Sequence, residues 1–188
     1  MPETFLHGVE VIEVDSGIRP IRTVRSGVIG IVGTAPNADA TAFPLNTPVL
    51  IAGSRTAAAA LDTVGTGLGS LPAALDGIFD QIGAVVVVVR VDDGTDEAET
   101  LANIVGGVAV DGTYEGVHAL LAAESVLGVT PRILCAPGWT HQRPGAPAGA
   151  NPVVSELVGI AERLRAVIIA DGPNSTDAAA IAYAGDFG

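Results

Sequence analysis

The 188-residue chain has no lysine and one cysteine, and its aromatics amount to one Trp, two Tyr and four Phe. Each scarcity excludes something. A single thiol, Cys135, cannot found an intrachain disulfide framework, and it fits assembly in a reducing cytoplasm. All nine cations are arginines, outnumbered by 21 acidic residues for a formal net charge of -12. Nucleic acid and anionic membrane surfaces need clustered positive charge, so neither is expected as a partner. The first residues, Met-Pro-Glu-Thr-Phe-Leu-His, lack a basic segment followed by an apolar one, and no apolar run is long enough to span a bilayer. With so few aromatics the core has to be aliphatic. The chain is 48% hydrophobic and 16% charged, which argues against disorder and supplies enough apolar material for one domain.

The most informative stretch is residues 84–91, Ala-Val-Val-Val-Val-Val-Arg-Val. Five consecutive valines leave no polar face, so the run reads as a central strand covered on both sides, as in a parallel sheet with helices on each face. Gly83 and Asp92-Asp93-Gly94 bound it as turns. Residues 28–32, 48–52, 132–136 and 166–170 read as further buried strands. Helical spacing of Leu71, Leu75, Ile78, Phe79 and Ile82 follows a glycine-rich loop at 65–70. Asp96 with Glu99 forms a capping pair before Leu101, Ile104 and Val105, and Gly106-Gly107 stops that helix. A second helix is expected over 113–127 with Tyr114, Val117, Leu120, Leu121 and Leu127 inward, another over 153–165, and a last one capped by Ser175. Strand–helix alternation after residue 70 predicts an α/β fold with a mostly parallel sheet and helices on both faces. The chain stops at Gly188 without a natural closing element, which predicts a domain cut short at its C-terminus.

At the other end, residues 7–14, His-Gly-Val-Glu-Val-Ile-Glu-Val, place Val9 and Val11 on one strand face and Glu10, Ile12 and Val14 on the other. A strand without a fixed inside is either an edge strand of the same domain or an arm that pairs elsewhere. Asp15-Ser16-Gly17 turns the chain after it, and Pro20 keeps Arg19 extended.

No motif completes a catalytic or phosphate-binding set. Gly27-x-x-Gly30-x-x-Gly33 has the wrong spacing for a dinucleotide fingerprint, and the loop at 65–70 lacks the Gly-Lys-Ser/Thr of a P-loop. Residues 137–152 form the longest loop, so Cys135, His141 and Asp171 suggest a nucleophile, base and orienter. Cys135 lies inside a strand pattern, however, where free cysteine is usually a small buried hydrophobe. His118 reads as a helix-surface or core-edge residue. No metal ligand spacing is present, and no cofactor is expected.

Taken together the segments resemble a known family, the tail sheath proteins of contractile-tailed phages and phage-derived bacteriocins, specifically the short sheaths of the temperate enterobacterial type. The resemblance rests on residues 7–14, on Arg19-Pro-Ile followed by Thr23-Val, and on Val28-Ile-Gly-Ile-Val-Gly-Thr-Ala-Pro-Asn-Ala-Asp-Ala. It continues through Phe43-Pro-Leu-Asn-Thr-Pro-Val-Leu-Ile, Val86-Val-Val-Val-Arg-Val, Asn103-Ile-Val-Gly-Gly-Val, Leu127-Gly-Val-Thr-Pro-Arg-Ile-Leu and Ala136-Pro-Gly. It implies a structural, non-enzymatic subunit that forms hexameric rings stacked into a helical sheath around a tail tube. It also implies contact with baseplate and tail terminator proteins, contraction that drives the tube through a cell envelope, and residence in a virion tail or tail-like particle assembled in the host cytoplasm. Residues 1–25 would be an intersubunit arm, with Val9, Val11, Ile12 and Val14 pairing on a neighbour and Asp15, Ser16 and Gly17 as its hinge; 26–188 would be an incomplete α/β domain. A small α/β enzyme or nucleotide-binding domain, and a different tail or baseplate component, are the alternatives.

Overall fold

In the computed structural model, residues 27–145 and 149–187 are described. The expected arm residues Val9, Val11, Ile12 and Val14 and the hinge residues Asp15, Ser16 and Gly17 lie outside them. Strand β1 (Val28–Thr34) is followed by β2 (Pro48–Ala52), a short helix α1 (Arg55–Ala58) and α2 (Leu71–Gln81). The valine run forms β3 (Val85–Val91), and α3 (Glu97–Val105) follows. A small hairpin joins β4 (Gly107–Val108) to β5 (Tyr114–Glu115), after which a 3-10 helix over Gly116–Ala122 runs into α4 (Ala123–Leu127). The order ends with β6 (Ile133–Cys135), α5 (Pro152–Leu164), β7 (Val167–Ile168) and α6 (Asp177–Gly185).

The main sheet has the order β2-β3-β1-β6-β7, parallel except for β2, which runs antiparallel on β3. The expected α/β architecture is present, with one change of place: β1 occupies the middle and β3 stands beside it. Alternation along β3 explains why five valines in a row are tolerated. Val87, Val89 and Val91 enter a core with Leu120, Leu134 and Leu157. Val86 and Val88 enter a second core with Ile31, Leu71, Leu75 and Phe79 on the opposite face. Each fully buried valine contributes about 2 kcal/mol of transfer free energy, so this strand anchors both layers.

Helix signals hold where the capping chemistry is specific. The Asp96 side chain accepts from the Glu99 amide at 2.8 Å. Glu99 in turn accepts from the Thr95 amide and hydroxyl, one residue before the cap. Asn151, fully buried, caps α5 by accepting from Val154 N, and its side-chain amide donates to the carbonyls of Trp139 and Gln142. The cap and the long loop are therefore one unit.

Four expectations need correction. The helix expected over 113–127 starts later, because Asp111 accepts from the Thr113 amide and hydroxyl and closes a turn that pairs Val108 with Tyr114. Beyond it, Val117, Leu120 and Ala123 are buried at intervals of three, which suits a 3-10 turn better than an α-helical one. The strand expected over 166–170 shortens to β7, since the Asp171 amide donates to the Thr140 hydroxyl at 2.7 Å. Thr176, not Ser175, caps α6 by accepting from Ala179 N. Ile82 lies past the end of α2 and is 70% exposed, so it leaves the helical stripe.

Candidate functional site

An open α/β sheet usually holds a ligand outside the carboxyl ends of its strands, where connections depart in opposite directions. Here that place is β1, with β3 on one side and β6 on the other. Several of its polar groups are paired within the chain. The Thr34 amide donates to Ser70 Oγ at 3.2 Å, Trp139 N to the Ala136 carbonyl, and Gly138 N to Asp171 Oδ2 at 3.3 Å. Arg90, the one charge in the valine run, donates through Nε to the Phe43 carbonyl at 2.7 Å and fixes the loop before β2. Asn46, with φ 53°, accepts from Gly116 N at 3.0 Å and ties that loop to the 3-10 segment.

The glycines have steric explanations. A side chain at Gly30 would meet Pro131 Cβ at 2.9 Å, and one at Gly33 would meet Ser70 Oγ at 2.2 Å. Both positions are small because neighbours press on the sheet. In the loop at 65–70, backbone amides of the kind that cradle a phosphate donate instead to a resident anion: Gly65 N to Asp62 Oδ1 at 3.0 Å and Gly67 N to Asp62 Oδ2 at 2.5 Å. The Gly67 amide is the main cause that holds the Asp62 carboxyl below its ordinary value. A second anion there would meet Asp62 and Asp76.

Cys135, His141 and Asp171 do not form a catalytic set. Burial pushes the Cys135 thiol up to about 12, and the Asp171 charge pushes in the same direction. The supposed orienter thus suppresses the thiolate. His141 is exposed, in a hollow of about 590 Å³ lined by Asp96, Glu97, Leu101 and Arg143. His118 sits at the core edge as expected, with Nε2 3.0 Å from Glu156 Oε1, and links the 3-10 segment to α5. Among the described residues no group of three or more His, Cys, Asp or Glu side chains could hold a metal ion, and no helix is long and apolar enough to cross a membrane.

What the fold offers instead is sheet edge and apolar surface. Val49, Ile51 and Gly53 turn their backbones toward β3, as the Gly53 amide on the Ala84 carbonyl shows. Leu50 and Ala52 therefore face outward along the sheet margin. On the far margin Val167 is 67% and Ile169 58% exposed. Sequence reasoning missed Asn46, Thr140 and Asn151 as organisers of these loops. Asn151-Pro152 ahead of an apolar stripe is the cap signal that could have found the last of them.

Comparison with known proteins gives a consistent picture. Residues 26–91 match the family model described as the N-terminal region of domain III of the tail sheath protein Gp18. The chain is 42% identical over 168 residues to the tail sheath protein of Escherichia phage P2, covering 86% of this chain and 39% of that protein. It is 43% identical over 188 residues to a putative prophage major tail sheath protein of Pseudomonas aeruginosa (strain UCBPP-PA14), covering 98% and 45%. It is 40% identical over 171 residues to the major tail sheath protein of Serratia phage KSP20, covering 88% and 40%. The chain thus spans less than half the length of these curated relatives.

Proposed function

Because this chain belongs to the tail sheath protein family, we propose that it is a structural, non-enzymatic part of a contractile sheath. Its subunits stack as hexameric rings around a tail tube, meet baseplate and terminator proteins at the two ends, and contract to drive the tube through a target envelope. The observation that carries the reading is similarity at about two residues in five across nearly the whole chain. The fold supports it by subtraction: amides and carboxylates at the usual ligand position are spent on holding loops together, and the one thiol is buried and kept protonated.

Residues 1–25 act as an intersubunit arm and 26–188 as the body. Val9, Val11, Ile12 and Val14 add a strand to a neighbour's sheet, where backbone hydrogen bonds give affinity and alternate side chains give register. Asp15, Ser16 and Gly17 form the corner that lets the body move while the strand stays paired. No bound nucleotide is needed, since free energy is held in a metastable extended lattice and released by rearrangement of packed subunits. The test is the native particle. Protein purified as its host cell makes it should appear in the electron microscope as tubes or stacked rings. Monomers that bind nucleotide would overturn the proposal.

A further inference from the structure

Two sets of residues grip the segment from Gly138 to Arg143. In the first, the buried Asn151 side chain donates to the Trp139 and Gln142 carbonyls at 3.2 and 2.9 Å. The second comes from the C-terminal stretch. The Tyr183 hydroxyl donates to the Thr140 carbonyl at 2.5 Å, and the Asp171 amide donates to the Thr140 hydroxyl at 2.7 Å. Arg143 donates through Nε and a terminal nitrogen to Asp186 Oδ2 at 3.1 and 2.7 Å. Thr140 is 1% exposed, so its carbonyl has no water to turn to when Tyr183 leaves. The two grips differ in backing. Asn151 begins a 13-residue helix with buried side chains along its length, whereas among the described residues Tyr183 is the one buried side chain of the 9-residue α6. A helix that short does not persist in water by itself, so α6 keeps its shape only while it is held down. Burial pushes the Tyr183 hydroxyl above its ordinary value, and the Asp171 and Asp186 charges push the same way, which keeps it a donor.

We propose that α6 is a latch keyed by Tyr183: it opens and melts as a unit while the sheet stays folded, and its release loosens residues 138–143 through the Thr140 carbonyl. The coupling has a chemical path. Losing Tyr183 leaves a buried carbonyl without its donor, and the backbone around Thr140 has to turn toward water to satisfy it. That turn carries the Thr140 hydroxyl away from the Asp171 amide, and with Arg143 freed from Asp186 the loop is held chiefly by Asn151. What closes the latch is one ring, one hydrogen bond to a buried carbonyl and one partly exposed ion pair. These are a fraction of what keeps a domain folded, and regions so held open locally, ahead of global unfolding. Strands β1 and β3, whose side chains enter both cores, stand at the other extreme. The latch rests on these contacts and not on the sheath reading.

Hydrogen exchange read by mass spectrometry on natural-length protein, taken as unassembled subunits from a sizing column, tests this. In the parent, residues 177–185 and 138–143 should exchange at least about a hundredfold faster than β1 and β3, since they open without the sheet. Tyr183→Phe keeps the ring and removes the donor, so exchange in both segments should rise about tenfold while β1 and β3 stay unchanged. Asp186→Asn, which removes only the ion pair, should raise it about twofold. Residues 177–185 exchanging as slowly as β1 in the parent would overturn the latch, and this reading needs no variant should Tyr183→Phe fail to fold. In Tyr183→Phe, a rise shared by β1 and β3 would make Tyr183 an ordinary core side chain. A rise confined to 177–185 would break the coupling to the loop, and no rise would remove the key. Each of these three results also overturns the proposal.

Discussion

Burial in β6 and the nearby Asp171 carboxylate both hold the proton on Cys135. At pH ~8, close to the ordinary thiol pKa, the native chain should react with a thiol reagent far more slowly than the unfolded chain does. Cys135→Ala should cost about 1 kcal/mol in a denaturant melt and leave assembly intact. Fast labelling of the native protein would show that the thiol is not held as described. Asp62 gives a second residue-level expectation. Its folded pKa is depressed, chiefly by the Gly67 amide, so its contribution is present above the unfolded value near ~3.9. That contribution is lost as pH falls through the lower folded value. Asp62→Asn should therefore melt below the parent near neutral pH, with the difference shrinking below about pH 4. Neither site is announced by a motif. Asp62 lies three residues before Gly65, and only the folded loop shows that its carboxylate fills the place a phosphate would take.

At the scale of elements, the hairpin between α3 and the 3-10 segment depends on two glycines pressed together. Gly116 has φ 58°, and a Cβ there would stand 2.4 Å from the Ile104 carbonyl oxygen and 2.7 Å from Gly106 N. Gly116→Ala should cost about 3 kcal/mol or more by strain plus collision. Gly112→Ala, at φ 85° with nothing within 4 Å, should cost only about 1–2 kcal/mol. Similar losses for the two in thermal melts would contradict the close approach. This hairpin is also where sequence reading failed. Buried residues at 117, 120 and 123 imitate half of a helical period, and the pairing of Val108 with Tyr114 is a tertiary outcome that spacing does not encode. The reading succeeded at β3, α3 and α5, where an uninterrupted valine run, an Asp cap with Glu three residues on, and an apolar stripe of Val154, Leu157, Ala161 and Leu164 at helical spacing each leave one favourable structure. The strand order was illegible in the same way. Nothing in residues 28–32 distinguishes a central strand from an inner neighbour of β3.

For the whole molecule, the sequence carries its likeness to tail sheath proteins more plainly than it carries chemistry, because the likeness is spread over nearly the whole chain and is not gathered in one motif. The exposed apolar side chains Val167 and Ile169 at the sheet margin suit a protein whose surfaces are completed by assembly. The proposed assembly turns on residues 7–14 as a strand shared between subunits. Electron microscopy of natural-length protein carrying Val11→Pro tests this. Proline removes a ladder donor and its ring disturbs the strand, so the variant should keep a folded body by circular dichroism yet form no extended sheaths. Val11→Thr should assemble. Two or three residues inserted at Asp15-Ser16-Gly17 should also permit assembly, since added slack costs little entropy, but weaken contraction. Normal extended sheaths from the Val11→Pro protein would contradict the intersubunit strand and the assembly mechanism built on it.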